Sequence, residues 1–105
     1  MLTHKDICKA VGNSALKYKI KNAYYFGSYA KGTQTDDSDL DLLVEFEPAA
    51  TLLTLAGLIG DLEDTLRKEV DVVILPLEKD SHLILERVVK CYADKQKQAN
   101  HNANV

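Results

Sequence analysis

One stretch constrains this chain more than any other: Gly27-Ser28, ten intervening residues, and then Asp39-Leu40-Asp41-Leu42. A short apolar run, Ala23-Tyr24-Tyr25-Phe26, leads into the Gly-Ser pair and reads as a strand that ends in a tight turn. Two carboxylates at i and i+2 on a following strand project from the same face, because side chains alternate with a period of two. Like charges held side by side repel, so the pair needs a reason. A divalent cation between them would supply one; a charged, aggregation-resistant edge strand would supply another. The pair alone leaves both open.

A third carboxylate weighs between them. Asp71 is the one polar residue in Val70-Asp71-Val72-Val73-Ile74-Leu75, and burying it unpaired would cost several kcal/mol. That cost disappears if this strand lies beside the Asp39/Asp41 strand and all three groups face shared metal ions. Gly27 lets the backbone turn closely around a ligand, and the N–H groups opening the next helical turn, with the Ser28 hydroxyl, suit an anion. Carboxylates from two strands next to such a turn describe a two-metal phosphoryl or nucleotidyl transfer site.

The rest of the chain supplies the frame. A helix is expected from residue 3 to about 17, capped by Thr3 and Asp6, with Ile7, Ala10, Val11, Ser14 and Ala15 inward. Lys17, Lys19 and Lys21 read as a solvated connection. A helical turn over 28–31 stops at Gly32. The strand over 39–46 puts Leu40, Leu42, Val44 and Phe46 on one face. A long helix over 51–68 carries Leu52, Leu55, Ile59, Leu62 and Leu66, interrupted by Gly57 and Gly60, which either allow close packing or mark a break. A third strand covers 70–75. A last helix, capped by Asp80 or Ser81, is expected to carry Leu83, Ile84, Val88, Val89 and Tyr92. This order gives one small α/β domain over residues 1–94, its three strands flanked by helices, and a flexible tail over 95–105.

Composition narrows the function. A net charge of −3 gives no global field for nucleic acid, and no apolar run is long enough to span a bilayer. Cys8 and Cys91 stand far apart in apolar surroundings and read as small buried hydrophobes of a cytoplasmic protein.

The strings Phe26-Gly27-Ser28-Tyr29-Ala30-Lys31-Gly32 and Ser38-Asp39-Leu40-Asp41-Leu42-Leu43-Val44, with Val70-Asp71-Val72-Val73 later, resemble the minimal (MNT) nucleotidyltransferases of the DNA polymerase β-like superfamily. The resemblance spans residues 20 to 92. It implies a small mixed sheet of three to four strands flanked by helices. It further implies that Gly27 and Ser28 contact the nucleotide phosphates, with Lys31 and Ser38 also on the nucleotide side. Asp39 and Asp41 would bind Mg²⁺, two ions in all, and Asp71 would complete the site and assist deprotonation of the acceptor. Lys31 stands where the family more often has Arg, so a bidentate phosphate contact is lost. Ser38 is expected to shape the loop before the strand, with Asp36 and Asp37 solvated. The resemblance implies an antitoxin that moves AMP from ATP to a tyrosine of a HEPN-domain ribonuclease toxin, in a hetero-oligomer with it. Occlusion of the toxin without chemistry, or transfer to a small-molecule hydroxyl, are the alternatives.

Overall fold

A computed structural model describes residues 2–76 and 87–93. The cap expected at Asp80 or Ser81, Leu83 and Ile84, and the tail over 95–105 lie outside them. Seven elements follow in order: α1 (His4–Ser14), β1 (Ile20–Phe26), α2 (Ser28–Lys31), β2 (Leu40–Phe46), α3 (Leu52–Leu66), β3 (Val70–Ile74) and β4 (Val89–Ala93). The sheet order is β3-β2-β1-β4, with β1 antiparallel to β2 and β4, and β2 parallel to β3. The parallel pair requires a crossover, which α3 supplies. The expected mixed sheet with flanking helices is therefore present, with four strands.

Local chemistry explains the helices. Thr3 and Asp6 form a reciprocal capping box, the Asp6 carboxylate accepting from Thr3 N–H at 2.9 Å and the Thr3 hydroxyl from Asp6 N–H at 3.1 Å. Ile7, Ala10 and Val11 of α1, and Ala15 just beyond it, are buried against the sheet, as their spacing predicts. In α3 the expected stripe holds at Leu62, fully buried, and Leu66, packed against the core, but Leu58 joins it and Leu52, at the start of the helix, is 81% exposed. The two glycines differ: a Cβ at Gly57 would come within 2.7 Å of the Tyr18 ring, whereas nothing lies within 4 Å of one at Gly60. Gly57 thus permits the close approach of Tyr18, whose hydroxyl donates to Asp61. Lys17 pairs with Asp61 at 3.5 Å and Lys21 with Glu45 at 3.9 Å, both partly in solvent.

Two expectations are corrected. The first strand starts at Ile20 rather than Ala23, because Ile20 is buried opposite Phe46 and Asn22 donates to Glu45 at 2.7 Å. Val89 and Tyr92, expected on a last helix, lie on β4, and Val88 immediately precedes it. The β-branched pair suits a pleated strand better than a helix, and this strand covers the edge of β1 that would otherwise be left unpaired. The core runs between this sheet and the two long helices: Leu40, Leu42 and Val44 of β2 and Ala23 of β1 are essentially inaccessible. Both cysteines are free and half-buried. Burial, with Cys8 adding to it, pushes the Cys91 thiol up to about 12, the behaviour of an inert packed thiol. Among the described residues no helix is long and apolar enough to cross a membrane.

Candidate active site

The Gly-Ser turn is built by a backbone conformation that only glycine adopts without strain. Gly27 closes β1 with φ 68° and ψ −146°. A Cβ there would collide with the Asp41 carboxylate, so the missing side chain lets Asp41 lie against the main chain at the root of α2. Ala30 and Lys31 donate their N–H groups to the Gly27 carbonyl, each at 3.1 Å. The N–H groups of Ser28 and Tyr29 open the turn, and no side chain caps it. Gly32, left-handed at φ 76°, stops it where expected.

The carboxylates come from adjacent strands. Asp41 lies opposite Phe26 on one side and in register with Asp71 on the other, so Asp41 and Asp71 project from the same face of a parallel pair. Asp39 immediately precedes β2 and is exposed. Burial holds the half-buried Asp41 carboxyl above the ordinary range, and the charges of Asp71 and then Asp39 push it in the same direction. One part of the sequence argument fails: Asp71 is exposed, so its presence in an apolar strand carries no large burial cost. Its side faces solvent on the same face as Asp41, and register rather than burial brings them together.

Among the described residues, no three acidic, histidine or cysteine side chains converge as a ready-made metal cluster. The donor set nevertheless fits Mg²⁺. These are hard oxygen ligands, one with its charged form penalised by burial and then by its neighbours, and Mg²⁺ commonly takes one or two carboxylates and completes its shell with water and substrate phosphates.

The loop over 33–38 joins the turn to the aspartates. Ser38 shapes it: its hydroxyl accepts from Thr35 N–H at 2.9 Å, and its own N–H donates to the Thr35 carbonyl at 3.1 Å. Asp36 and Asp37 are exposed, as is Lys31 in the last turn of α2. Tyr29 is buried, and its hydroxyl and the Gln34 amide oxygen are buried without a hydrogen-bond partner. Lys68, which nothing in the sequence singles out, donates to the Asp36 carbonyl at 2.8 Å and sits over the Tyr29 ring, 6.0 Å from its centre. A lone lysine at a helix end reads as solvated, and only the fold reveals its reach. A broad surface cavity of about 870 Å³, lined by His4, Cys8, Lys90 and Cys91 among others, does not include the aspartates.

The fold and this geometry define an α/β domain that sets a glycine-led turn against carboxylates of two neighbouring strands. The chain matches the family described as polymerase beta, nucleotidyltransferase, over residues 9–93, and it belongs to that family. A relative from Methanocaldococcus jannaschii named as a protein adenylyltransferase is 49% identical over 69 residues, covering 62% of this chain and 74% of the relative. The fold is also similar to that of a chain in the crystal structure of a toxin-antitoxin with AMP-PNP (TM-score 0.65, 23% identity, covering 98% of this chain and 83% of that one). It is similar too to that of a chain in the structure of a tri-AMPylated Shewanella oneidensis HEPN toxin in complex with an MNT antitoxin (TM-score 0.61, 17% identity, 97% and 82% covered).

Proposed function

We propose that this protein is a Mg²⁺-dependent adenylyltransferase that moves AMP from ATP to a tyrosine hydroxyl of a HEPN-domain toxin and thereby acts as its antitoxin. The observation that carries the reading is the in-register Asp41/Asp71 pair, with Asp39 near enough to perturb Asp41, set against the Gly27 turn. Family membership and the adenylyltransferase name of the relative support it.

In this reading Gly27, Ser28 and the N–H groups that open α2 hold the triphosphate, with Lys31 and Ser38 on the nucleotide side. Asp39, Asp41 and Asp71 would hold the Mg²⁺ ions, which when bound offset phosphate charge and ease ionisation of the acceptor hydroxyl. The tyrosine oxygen bonds to the α-phosphorus, the bond from that phosphorus to the bridging oxygen breaks, and pyrophosphate leaves. Asp71, exposed at the rim, takes the tyrosine proton. The added phosphate gives the toxin bulk and negative charge next to its own site. Tyr29 is not an acceptor here, because its hydroxyl is buried.

The test is to incubate the chain with ATP, Mg²⁺ and the HEPN-domain protein encoded beside it, and to measure intact mass and ribonuclease activity. One or more AMP additions with loss of RNA cleavage are expected. Unmodified toxin, or equal modification by Asp39→Asn/Asp41→Asn, would overturn the reading. A second reading, neutralisation by occlusion, draws on Leu52 and Leu53, both more than four-fifths exposed at the start of α3. It requires neutralisation to survive loss of all three aspartates.

A further inference from the structure

The site is assembled from three chain segments, and one ammonium touches or borders all of them. Lys68 stands three residues before Asp71 in the corner between α3 and β3. Its hydrogen-bond acceptor, the Asp36 carbonyl, stands three residues before Asp39. The ring beneath it belongs to Tyr29, the residue after Ser28. From this geometry we propose that Lys68 is a positioning residue for nucleotidyl transfer, fixing the phosphate turn and the Asp39 loop against the strand that carries Asp71. The inference rests on the transfer reading above and deepens it.

The corner is a firm base for such a clamp. Arg67 ends α3 in the left-handed conformation at φ 57°, with its N–H on the Glu63 carbonyl at 2.9 Å. The Glu63 carboxylate accepts from Val70 N–H at 3.0 Å, and the Glu69 carbonyl from Leu40 N–H at 3.0 Å. Lys68 is thus bracketed by bonds that tie the corner to both site strands. Tyr29 is held by packing in the core, its hydroxyl has no hydrogen-bond partner, and the cation over its ring adds a polar tie from the corner to the phosphate turn. The loop over 33–38 is tied to α2 at its start, where Thr33 N–H donates to the Ser28 carbonyl at 3.0 Å, and is shaped internally by Thr35 and Ser38. The Lys68–Asp36 bond ties its middle to the corner between α3 and β3, and a charged donor makes it stronger than a neutral one.

The experiment compares wild type, Lys68→Met and Lys68→Arg in the full chain. With ATP, Mg²⁺ and the HEPN partner, Lys68→Met is expected to lower kcat about tenfold through misalignment of turn and carboxylates, and Lys68→Arg to restore most of it. In parallel, amide exchange at Thr35 and Ser38 should speed up about tenfold in Lys68→Met, with the α3 amides unchanged, a local effect that general destabilisation would not produce. A Lys68→Met kcat within about twofold of wild type, or an arginine variant as slow as the methionine one, overturns the proposal while leaving the transfer reading intact. If wild type itself transfers nothing, the transfer reading fails and the positioning role falls with it; if wild type transfers but loop protection is unchanged in Lys68→Met, the positioning role alone is overturned.

Discussion

Gly27→Ala tests whether the turn and Asp41 are built as one unit. The backbone at φ 68° and ψ −146° lies in a region reserved for glycine, and occupying it with alanine costs about 1–3 kcal/mol. The new methyl group also collides with the Asp41 carboxylate, adding roughly 1 kcal/mol as the carboxylate is displaced. A total of about 2–4 kcal/mol corresponds to a fall in Tm of at least about 8 °C for a domain this size. The two parts separate in a double-mutant cycle read by urea denaturation. Asp41→Ala leaves only its Cβ at 3.7 Å, an ordinary contact, so the steric part should vanish in that background and the backbone part remain. The expected coupling is about 1 kcal/mol. Full additivity, or a Gly27→Ala cost below about 0.5 kcal/mol, would refute the close approach.

Other consequences follow from the same contacts. Because the folded state raises the Asp41 pKa, ionisation there costs stability as pH rises above the unfolded carboxyl value. Asp41→Asn should therefore raise Tm in EDTA at neutral pH while abolishing transfer, and the gain should fade on acidification. Gly57→Ala should lower stability by about 1–3 kcal/mol through overpacking against Tyr18, whereas Gly60→Ala, with open space around it, should raise it by about 1 kcal/mol; both are read by denaturant titration. The Tyr18 hydroxyl, and then Lys17, hold the Asp61 carboxyl below its usual range. That contribution is present above the unfolded pKa and is lost as pH falls through the folded one. The Tm gap between wild type and Tyr18→Phe should accordingly shrink as the solution is acidified.

Much of this architecture could be read from residues because the signals were local. The Thr3/Asp6 box, the alternation of Leu40, Leu42 and Val44, and the Gly27-Ser28 and Asp39/Asp41 spacing each depend on near neighbours. Relations between distant segments were less visible. The Val88-Val89 pair was compatible with a helical stripe until the exposed edge of β1 was available to pair with it. Leu52 fitted the periodicity of α3 as well as Leu58 did, but Leu58 lies beside Gly57, where the helix meets Tyr18, and Leu52 lies at the exposed start. Asp71 was associated with Asp41 on an argument from burial, and the true cause is strand register. Lys68 gave no signal, since its partners lie 32 and 39 residues earlier in the chain.

The most direct measurement is label transfer to the HEPN partner from ATP carrying phosphorus-32 at either the α or the γ position. Nucleotidyl transfer at the Asp39, Asp41 and Asp71 site predicts protein-bound label from the α position only, dependent on Mg²⁺, and absent when any of the three is changed to Asn. Label from the γ position, or undiminished α label in those variants, would contradict it.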